Sequence, residues 1–302
     1  MDKSVSVPAP KMQAINRRGF MQKLREYKKH PFSLLAYLLV CIAAALTVGV
    51  LLSLIVYVLV RGIPALNLEM FSLEYTSDNQ SMLPAIINTL TVVVVTLLIA
   101  VPIGVFSAIY MTEYAKRGSK LVKVVRMTTE TLSGIPSIVY GLFGAIFFNG
   151  VLGWGYSLLS GVCTLAIMIL PLIMRTTEEA LIAVPDTFRE GSFGLGAGRL
   201  RTVFKIVLPS AAPGILSGII LSIGRIIGET AALIYTAGTV TGIAESVMEP
   251  GRTLAIHMYA QTNEGWYEEQ AFATAVVLLI FSLLMNALSG LLVKKLGNKE
   301  LK

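Results

Sequence analysis

The sequence predicts an all-α membrane protein, a polytopic bundle of six transmembrane helices. Of its 302 residues, 55% are hydrophobic and only 14% are charged, whereas a soluble domain carries about 25% charged residues. Uncharged apolar runs recur at lengths that cross a bilayer, which takes about 20 helical residues. Lys and Arg accumulate in alternate connections between those runs, as expected for a chain that crosses a membrane repeatedly.

The predicted crossings follow one another along the chain. The longest uncharged run, 131–174, fits two helices joined by a tight turn near 149–155, where three glycines lie. A basic tail at 1–31 precedes the transmembrane region at 32–293, and a short tail at 294–302 follows it. The six predicted crossings are 32–60, 84–112, two within 131–174, 206–244 and 271–293.

The basic residues orient these crossings. All but three of the 25 Lys and Arg residues lie in 1–31, 113–130, 175–205 and 294–302. Because Lys and Arg favour the cytoplasmic side, the sequence predicts a multi-pass protein with both termini in the cytoplasm. The net charge of +7 is thus a topology signal and does not indicate a nucleic-acid partner. The connections predicted to face outward are acidic: Glu69, Glu74, Asp78, Glu245, Glu249, Glu264, Glu268 and Glu269.

Several enzyme classes are excluded by missing motifs. The sequence contains no Gly-Lys-Ser/Thr phosphate loop, no metalloprotease His pair and no Gly-x-Ser-x-Gly nucleophile turn. Two Cys and two His supply neither a disulfide framework nor a protein-only zinc site. We therefore predict no catalytic residue, no cofactor and no metal site. If the protein takes part in an energy-dependent process, the nucleotide that supplies the energy is bound by another chain.

The connection between the fourth and fifth crossings, called here the elbow segment (176–205), is not a plain linker. Helix-favouring residues open it, Pro185 and four glycines between 191 and 198 interrupt it, and an amphipathic run resumes at 199–207. The pattern predicts helix, turn and helix. Such a unit can dock into a groove on a partner protein and act as a lever. The alternative is a structural loop that lies on the membrane.

The spacing within this segment resembles the EAA motif of ABC-importer permeases, E-A-A-x3-G-x9-I-x-L-P. The spacing agrees throughout, and the departures are Gly191 and Ser192 where the motif has two alanines; both are small. The resemblance implies a MetI-like type I ABC importer permease whose elbow segment docks on a separate ATP-binding subunit. The matching residues are Glu190, Gly191, Ser192, Gly196, Ile206, Leu208 and Pro209.

A charged pair lies inside the fifth predicted crossing. A charge at the centre of a membrane helix costs about 2.5–3.5 kcal/mol on insertion scales, so it usually faces a cavity or a partner. Arg225 and Glu229 are four residues apart, which would place them on one helix face. In the functional interpretation Arg225 offers planar donors to an oxyanion and Glu229 holds it in place. In the structural alternative the two form an ion pair.

Further stretches resemble the phosphate-importer branch of the family over about 80–293: Tyr-Met-Thr-Glu-Tyr-Ala at 110–115, Gly-Ile-Pro-Ser-Ile-Val-Tyr-Gly-Leu-Phe-Gly at 134–144, and Gly-Arg-Ile-Ile-Gly-Glu-Thr-Ala-Ala at 224–232. This resemblance implies a substrate path through Arg225, Glu229 and Thr230. It also implies a prokaryotic cell membrane and three kinds of partner: an ATPase dimer, a second permease and an extracytoplasmic phosphate-binding protein.

Three alternatives stay open at this point. The substrate could be another oxyanion, such as sulfate or molybdate. The chain could instead be the second of the two permeases that a phosphate importer pairs. An ungated anion channel would share the intramembrane Arg225 but would not need the elbow segment, and it would conduct without ATP.

Overall fold

The computed structural model describes residues 31–116 and 118–297 of the chain. Every regular element in these two ranges is helical, which confirms the predicted all-α class. The predicted basic tail, 1–31, lies outside the described residues except for Pro31. The chain divides into two compact units between Tyr57 and Val58.

The described ranges contain eleven α-helices, with π-helical turns that extend or join some of them. The π-turn Tyr110–Tyr114 extends α2, Ala145–Val151 extends α4, and Val203–Val207 joins α7 to α8. A 3-10 helix covers Leu68–Phe71. The α-helices are α1 (Pro31–Gly62), α2 (Leu83–Ile109), α3 (Lys120–Ser133), α4 (Ser137–Gly144), α5 (Leu158–Ile182), α6 (Asp186–Gly194), α7 (Arg199–Thr202), α8 (Leu208–Ile227), α9 (Ala231–Thr236), α10 (Leu254–Glu264) and α11 (Glu268–Gly297).

The described part of the first unit belongs to α1, a helix of 32 residues. At a rise of about 1.5 Å per residue it is longer than a hydrocarbon core of about 30 Å, so it can cross with a tilt. Its side chains are apolar on every face, and Leu38 and Leu46 are exposed. A helix without a polar face is typical of a membrane span.

Five helical stretches in the described ranges are long and apolar enough to cross a membrane: Phe32–Gly62, Leu83–Tyr114, Leu158–Ile182, Arg199–Ile227 and Glu268–Leu291. A sixth crossing results if α3 and the helix Ser137–Val151, which meet at 103°, form one broken span. The predicted turn of the 131–174 hairpin is close to the observed non-helical connection at 152–157. The predicted first helix of that hairpin, however, is interrupted before Ser137, because Pro136 cannot continue α3.

The predicted crossing 206–244 is wrong as a single continuous helix. α8 ends at Ile227, α9 is a separate short helix, and 237–253 contains no helix. Gly228, a poor helix former, follows the last residue of α8. The apolar stretch also starts earlier than predicted, because α7, its π-turn and α8 form one continuous stretch from Arg199.

The core of the second unit is built around α5, which packs against α2 and α8. Leu165 and Ile169 of α5, Val92 of α2, and Ile227 of α8 are fully buried in one apolar cluster. A second cluster lies where the elbow segment meets the end of α2, and it includes Ala108, Leu181, Val184, Val203 and Val207. Burial of these side chains attaches the elbow segment to the bundle.

Glycine spacing has different consequences at two places in α8. A Cβ on Gly214 would lie 2.7 Å from the Cβ of Ala180, and one on Gly218 would collide with Thr176. This pair therefore permits close approach of α8 to α5, as small residues at this spacing do in membrane helices. Gly224 and Gly228 have the same spacing, but a Cβ built on them would have its nearest neighbours at 3.8 Å and 3.7 Å, so no close contact with a described helix requires these two glycines.

A buried polar cluster lies near the N-terminal end of α2, at the opposite end of that helix from the elbow segment. His257 of α10 is fully buried, with its Nε2 3.0 Å from Nε2 of Gln261, and Oγ1 of Thr274 donates to Oε1 of Gln261 at 2.8 Å. Burial, aided by the nearby positive charge of Arg252, lowers the pKa of His257 to about 3. The imidazole is therefore neutral at physiological pH.

Candidate functional site

The backbone of the elbow segment has the predicted helix, turn and helix. α5 ends at Ile182, and Pro185 immediately precedes α6. After α6, Gly196 has φ +82°, a left-handed conformation that costs an L-residue with a side chain about 1 kcal/mol or more. α7 begins at Arg199. The glycine of the EAA spacing is thus needed for the turn between the two helices.

The first three residues of the motif point in two directions. Glu190 and Gly191 are exposed on α6, and no atom lies within 4 Å of a Cβ built on Gly191. Ser192 is buried, and its Oγ lies 2.8 Å from Oγ1 of Thr202 at the end of α7. Glu190 and Gly191 are therefore free to meet a partner, whereas Ser192 joins the two helices of the segment.

The last residues of the motif connect the segment to α8. Ile206, Leu208 and Pro209 are half-buried around the fully buried Val207. Pro209 follows directly after the π-turn Val203–Val207, within the continuous helical stretch that begins at Arg199. The segment nevertheless leaves five large apolar side chains exposed, more than the single scattered ones that are ordinary on a protein surface. These exposed residues are Phe188, Phe193, Leu195, Leu200 and Phe204.

Arg225 lines a cavity of about 370 Å³ between α3, α5 and α8, called here the charged cavity. It also lines a second cavity of about 860 Å³ that reaches Asn286 of α11. The side chain is exposed, and it lies in the last turn of α8. The other charged residues of the charged cavity are Arg126, Glu130, Arg175, Glu178 and Glu179.

The three arginines of the charged cavity differ in their partners. Arg126 forms an ion pair with Glu178 of α5. Nε of Arg175 lies 2.9 Å from Oε1 of Glu179, one turn further along α5. Arg225 forms no ion pair or hydrogen bond through its side chain with any residue that the structure describes. Its guanidinium donors are therefore available to a ligand in the cavity. The donors of the two paired arginines are partly occupied by glutamates.

The predicted pairing of Arg225 with Glu229 is wrong. Spacing of four residues places two side chains on one face only within a continuous helix, and α8 ends at Ile227. Glu229 is buried, and its Oε1 accepts a hydrogen bond from the backbone N–H of Ala232 at 3.1 Å. The carboxylate thus stabilises the start of α9.

Thr230 is also separate from Arg225 in the structure. It is half-buried, and its Oγ1 donates to the carbonyl oxygen of Gly228 at 3.4 Å. Neither Glu229 nor Thr230 lines the two cavities to which Arg225 contributes. Of the three residues predicted along the substrate path, the described structure brings only Arg225 to these cavities.

An ion pair that the sequence analysis missed holds the elbow segment. Nη2 of Arg189, on α6, lies 2.7 Å from Oε1 of Glu113, in the π-turn that extends α2. The two side chains are only 15% and 8% exposed. Two features of the sequence could have drawn attention to these residues. Glu113 is an acidic residue in a connection predicted to be basic, and Arg189 directly precedes Glu190 of the EAA-like motif. Their separation of 76 residues gave no reason to pair them.

A bundle of apolar spans with a compact, exposed segment between two of them defines a multi-pass membrane protein. Two solved structures share this fold. A bacterial alginate ABC transporter, solved in complex with an alginate-bound periplasmic protein, contains a chain that superposes with a TM-score of 0.68 at 15% identity, over 90% of this chain and 98% of that one. The MetNI methionine ABC transporter gives a TM-score of 0.56 at 21% identity, over 71% and 94% of the two chains.

The chain belongs to the family described as "Binding-protein-dependent transport system inner membrane component", which it matches over residues 100–298. It is 40% identical over 233 residues to the phosphate transport system permease protein PstA of Pasteurella multocida, which covers 75% of this chain and 81% of the relative. It is 31% identical over 277 residues to the probable ABC transporter permease protein YqgI of Bacillus subtilis, over 84% and 94% of the two chains. These findings confirm the resemblance to ABC-importer permeases and a multi-pass membrane location.

Proposed function

We propose that this chain is the PstA-type permease of an ATP-driven phosphate importer and forms half of the translocation path. The observation that carries the proposal is Arg225, a cation without a partner in the described chain, placed in a charged cavity between membrane helices. The 40% identity to a PstA permease supports phosphate as the substrate. The chain itself has no catalytic role, because ATP is hydrolysed on a partner.

Three kinds of partner complete the importer. An ATPase dimer supplies the energy and contacts the elbow segment through Glu190, Gly191 and the exposed apolar side chains near them. A second permease, of PstC type, forms the other half of the path. An extracytoplasmic phosphate-binding protein delivers the anion. In this arrangement both termini of the chain lie in the cytoplasm, as the distribution of Lys and Arg predicts.

ATP drives transport by shifting an equilibrium between two arrangements of the helices. ATP binding closes the ATPase dimer and moves the elbow segment, and the path then opens to the outside. Hydrolysis reverses the shift and opens the path to the cytoplasm. Each ligand changes this equilibrium only through its different affinity for the two arrangements. The elbow segment must therefore be stiff enough to transmit the movement.

The charges that line the charged cavity suit both the binding of phosphate and its release. Arg225 offers planar N–H donors that suit phosphate oxygens. Glu130, Glu178 and Glu179 line the same space and repel an anion, and two of them already neutralise Arg126 and Arg175. One free cation among carboxylates binds an anion weakly enough for it to leave again. A transport path needs that property, because conduction requires release as well as entry.

Uptake of labelled phosphate by membrane vesicles that contain the whole complex tests this function. In Arg225→Gln, uptake should fall at least about tenfold, because a hydrogen bond to a charged group contributes about 1.5–3 kcal/mol. Assembly with the ATPase should persist. Lys120→Gln is the matched control, since Lys120 is an exposed cation on α3 that lines neither cavity of Arg225, and its uptake should match wild type.

Each contrary outcome has a definite meaning. Normal phosphate uptake in Arg225→Gln would make Arg225 dispensable for transport. Stronger inhibition of wild-type uptake by sulfate or molybdate than by unlabelled phosphate would assign another oxyanion. Anion conductance by the purified chain without ATP would identify a channel.

A further inference from the structure

The junction between α2 and the elbow segment is held by a buried, two-pronged ion pair. The Nε of Arg189 lies 3.2 Å and 3.3 Å from the two carboxylate oxygens of Glu113, and Nη2 donates to Oε1 at 2.7 Å. This hydrogen bonding raises the pKa of Arg189 against the opposing effect of burial. A fork of this kind fixes orientation as well as distance.

The same guanidinium also binds the end of α5. Its Nη2 donates to the carbonyl oxygen of Leu181 at 2.9 Å, and its Nη1 donates to that of Val184 at 2.8 Å. A cation at the C-terminal end of a helix is favourable because the last carbonyls have no partner within the helix. One side chain of α6 therefore joins α5, α6 and the π-turn of α2. Its remaining partner, Asp186, is an exposed residue of α6 itself.

The second helix of the elbow segment reaches the same π-turn. The guanidinium carbon of Arg199, at the start of α7, lies 5.8 Å from the ring centre of Tyr114. Beneath these contacts, Ala108 and Ile109 of α2 pack in one apolar cluster with Val203 and Val207. Both halves of the elbow segment thus contact the last turn of α2.

Covalent connectivity makes this junction important for movement. The elbow segment is continuous in the chain with α5 and α8, so movement of α6 reaches those helices through the backbone. α2 has no such connection, because the chain continues from it into α3. A movement of the elbow segment can reach α2 only through non-covalent contacts. Among the described contacts between the elbow segment and α2 with its π-turn, the Glu113–Arg189 pair is the hydrogen-bonded ion pair.

We propose that Glu113 and Arg189 are positioning residues that make α2 and the elbow segment move as one body when the ATPase moves that segment. The inference rests on the proposed function, in which the elbow segment docks on the ATPase. Without the pair, movement of α6 would be absorbed at the junction, and α2 would lag behind α5 and α8. ATP would then be hydrolysed with less transport.

The coupling test compares Glu113→Gln with Asp186→Asn in the complete complex with its ATPase, second permease and binding protein. Asp186→Asn is matched, because it removes a carboxylate from the same arginine but at an exposed position. Phosphate transported per ATP hydrolysed should fall about fivefold or more in Glu113→Gln, at the lower end of typical couplings between sites. In Asp186→Asn it should stay within about twofold of wild type.

A ratio in Glu113→Gln that stays within twofold of wild type would overturn the proposal. If that variant does not assemble with the ATPase, Arg189→Lys decides, because it keeps the charge and loses the fork. A reduced ratio in an assembled Arg189→Lys complex supports the proposal. An unchanged ratio there overturns it.

A distance measurement separates this inference from the proposed substrate. Spin labels are placed at Leu98→Cys on α2 and Thr187→Cys on α6, both exposed positions, after alanine replaces the free Cys41 and Cys163. With otherwise wild-type residues, the α2–α6 distance should be the same with and without ATP. In Glu113→Gln it should shift or broaden with ATP, and identical distributions in the two backgrounds would overturn the proposal. A complex that keeps the ATP-independent distance but takes up no phosphate would refute only the phosphate assignment.

Discussion

Arg189 and Arg225 occupy opposite kinds of environment in one chain. Arg189 is 15% exposed, and its donors are directed at the carboxylates of Glu113 and Asp186 and at two backbone carbonyls. Arg225 is exposed to a cavity between membrane helices, and its side chain has no hydrogen-bond or ion-pair partner in the described chain. A guanidinium whose donors are satisfied internally fixes the geometry of its neighbours. One whose donors are free can bind a ligand.

The contrast extends to the carboxylates near each arginine. Glu113 faces Arg189 directly and forms an ion pair with it. Glu229, four residues after Arg225, instead accepts a hydrogen bond from the N–H of Ala232 and forms no ion pair with Arg225. The difference follows from helix continuity: the π-turn carries Glu113 onward from α2, whereas α8 ends before Glu229.

The largest expected effect is on stability at Arg189. Arg189→Gln leaves the carboxylate of Glu113 buried without its cation, and breaking a buried pair by removing one partner costs about 3–5 kcal/mol. We expect the free energy of unfolding in detergent to fall by about 3 kcal/mol, because both side chains keep a little exposure. Arg225→Gln, measured alongside, should change it by less than about 0.5 kcal/mol. Equal losses in the two variants would remove the distinction between the arginines.

The next effect concerns Glu190, the exposed neighbour of Arg189 on α6. Glu190→Arg reverses a charge on the proposed ATPase-docking surface without disturbing a described internal contact. We expect phosphate uptake to fall by about tenfold or more, which corresponds to about 1.4 kcal/mol of coupling. Stability should stay within about 0.5 kcal/mol of wild type. The measurement is uptake in vesicles beside the unfolding free energy, and unchanged uptake would count against the docking surface.

His257 gives a pH-dependent test at the other end of α2. Its folded-state pKa of about 3 lies well below the ordinary histidine value of 6.5, because the imidazole is buried and lies near Arg252. Since the unfolded chain binds the proton first as pH falls, this group's contribution to stability is complete above pH 6.5 and is lost as pH falls toward 3. The free energy of unfolding should decline by about 1.4 kcal/mol per pH unit well inside that window.

His257→Gln is the control for this pH dependence, because an amide can still hydrogen-bond Gln261 but does not titrate. The difference in slope between wild type and His257→Gln, measured by unfolding between pH 7 and about pH 5, isolates the histidine. Parallel slopes would mean that burial does not hold the imidazole neutral.

The smallest effect concerns Glu229. Glu229→Ala removes the acceptor for the N–H of Ala232 and should cost about 1 kcal/mol, as loss of a side-chain cap does. Glu229→Gln keeps an oxygen acceptor and should cost less than about 0.5 kcal/mol. Phosphate uptake in Glu229→Gln should match wild type, because the charge of Glu229 has no role at Arg225. A loss of uptake as large as that in Arg225→Gln would return Glu229 to the substrate path.

Local sequence patterns predicted much of this molecule correctly. Apolar length indicated the membrane spans formed by α1, α2, α5 and α11, and glycine spacing indicated the turn that the φ of +82° at Gly196 confirms. The stretch from Glu190 to Pro209 resembles the EAA motif, and this resemblance identified the family that the comparison confirms. Each of these features depends on residues close together in the chain or on the total apolar content of a segment. That is why they could be predicted without knowledge of packing.

The errors arose where a long apolar run was treated as one continuous helix although the helix breaks within it. The spacing of Arg225 and Glu229 predicts a pair only if the helix continues, and the helix break at Gly228 removed that condition. Pro136 similarly interrupts the predicted first helix of the 131–174 hairpin, between the end of α3 and the start of α4.

The composition and residue spacing of the chain alone determined the order of the apolar segments and the position of the elbow segment. They also indicated an arginine within a predicted membrane span. Only the tertiary structure decided which arginine is satisfied and which is free. Arg189 meets Glu113 across 76 residues because α2 and α5 pack side by side and bring their ends to one place. The hydrophobic effect and the backbone preferences depend on each residue and its near neighbours in the chain, so both can be predicted from the sequence. Ion pairing depends on distance in space, which only the packed bundle defines.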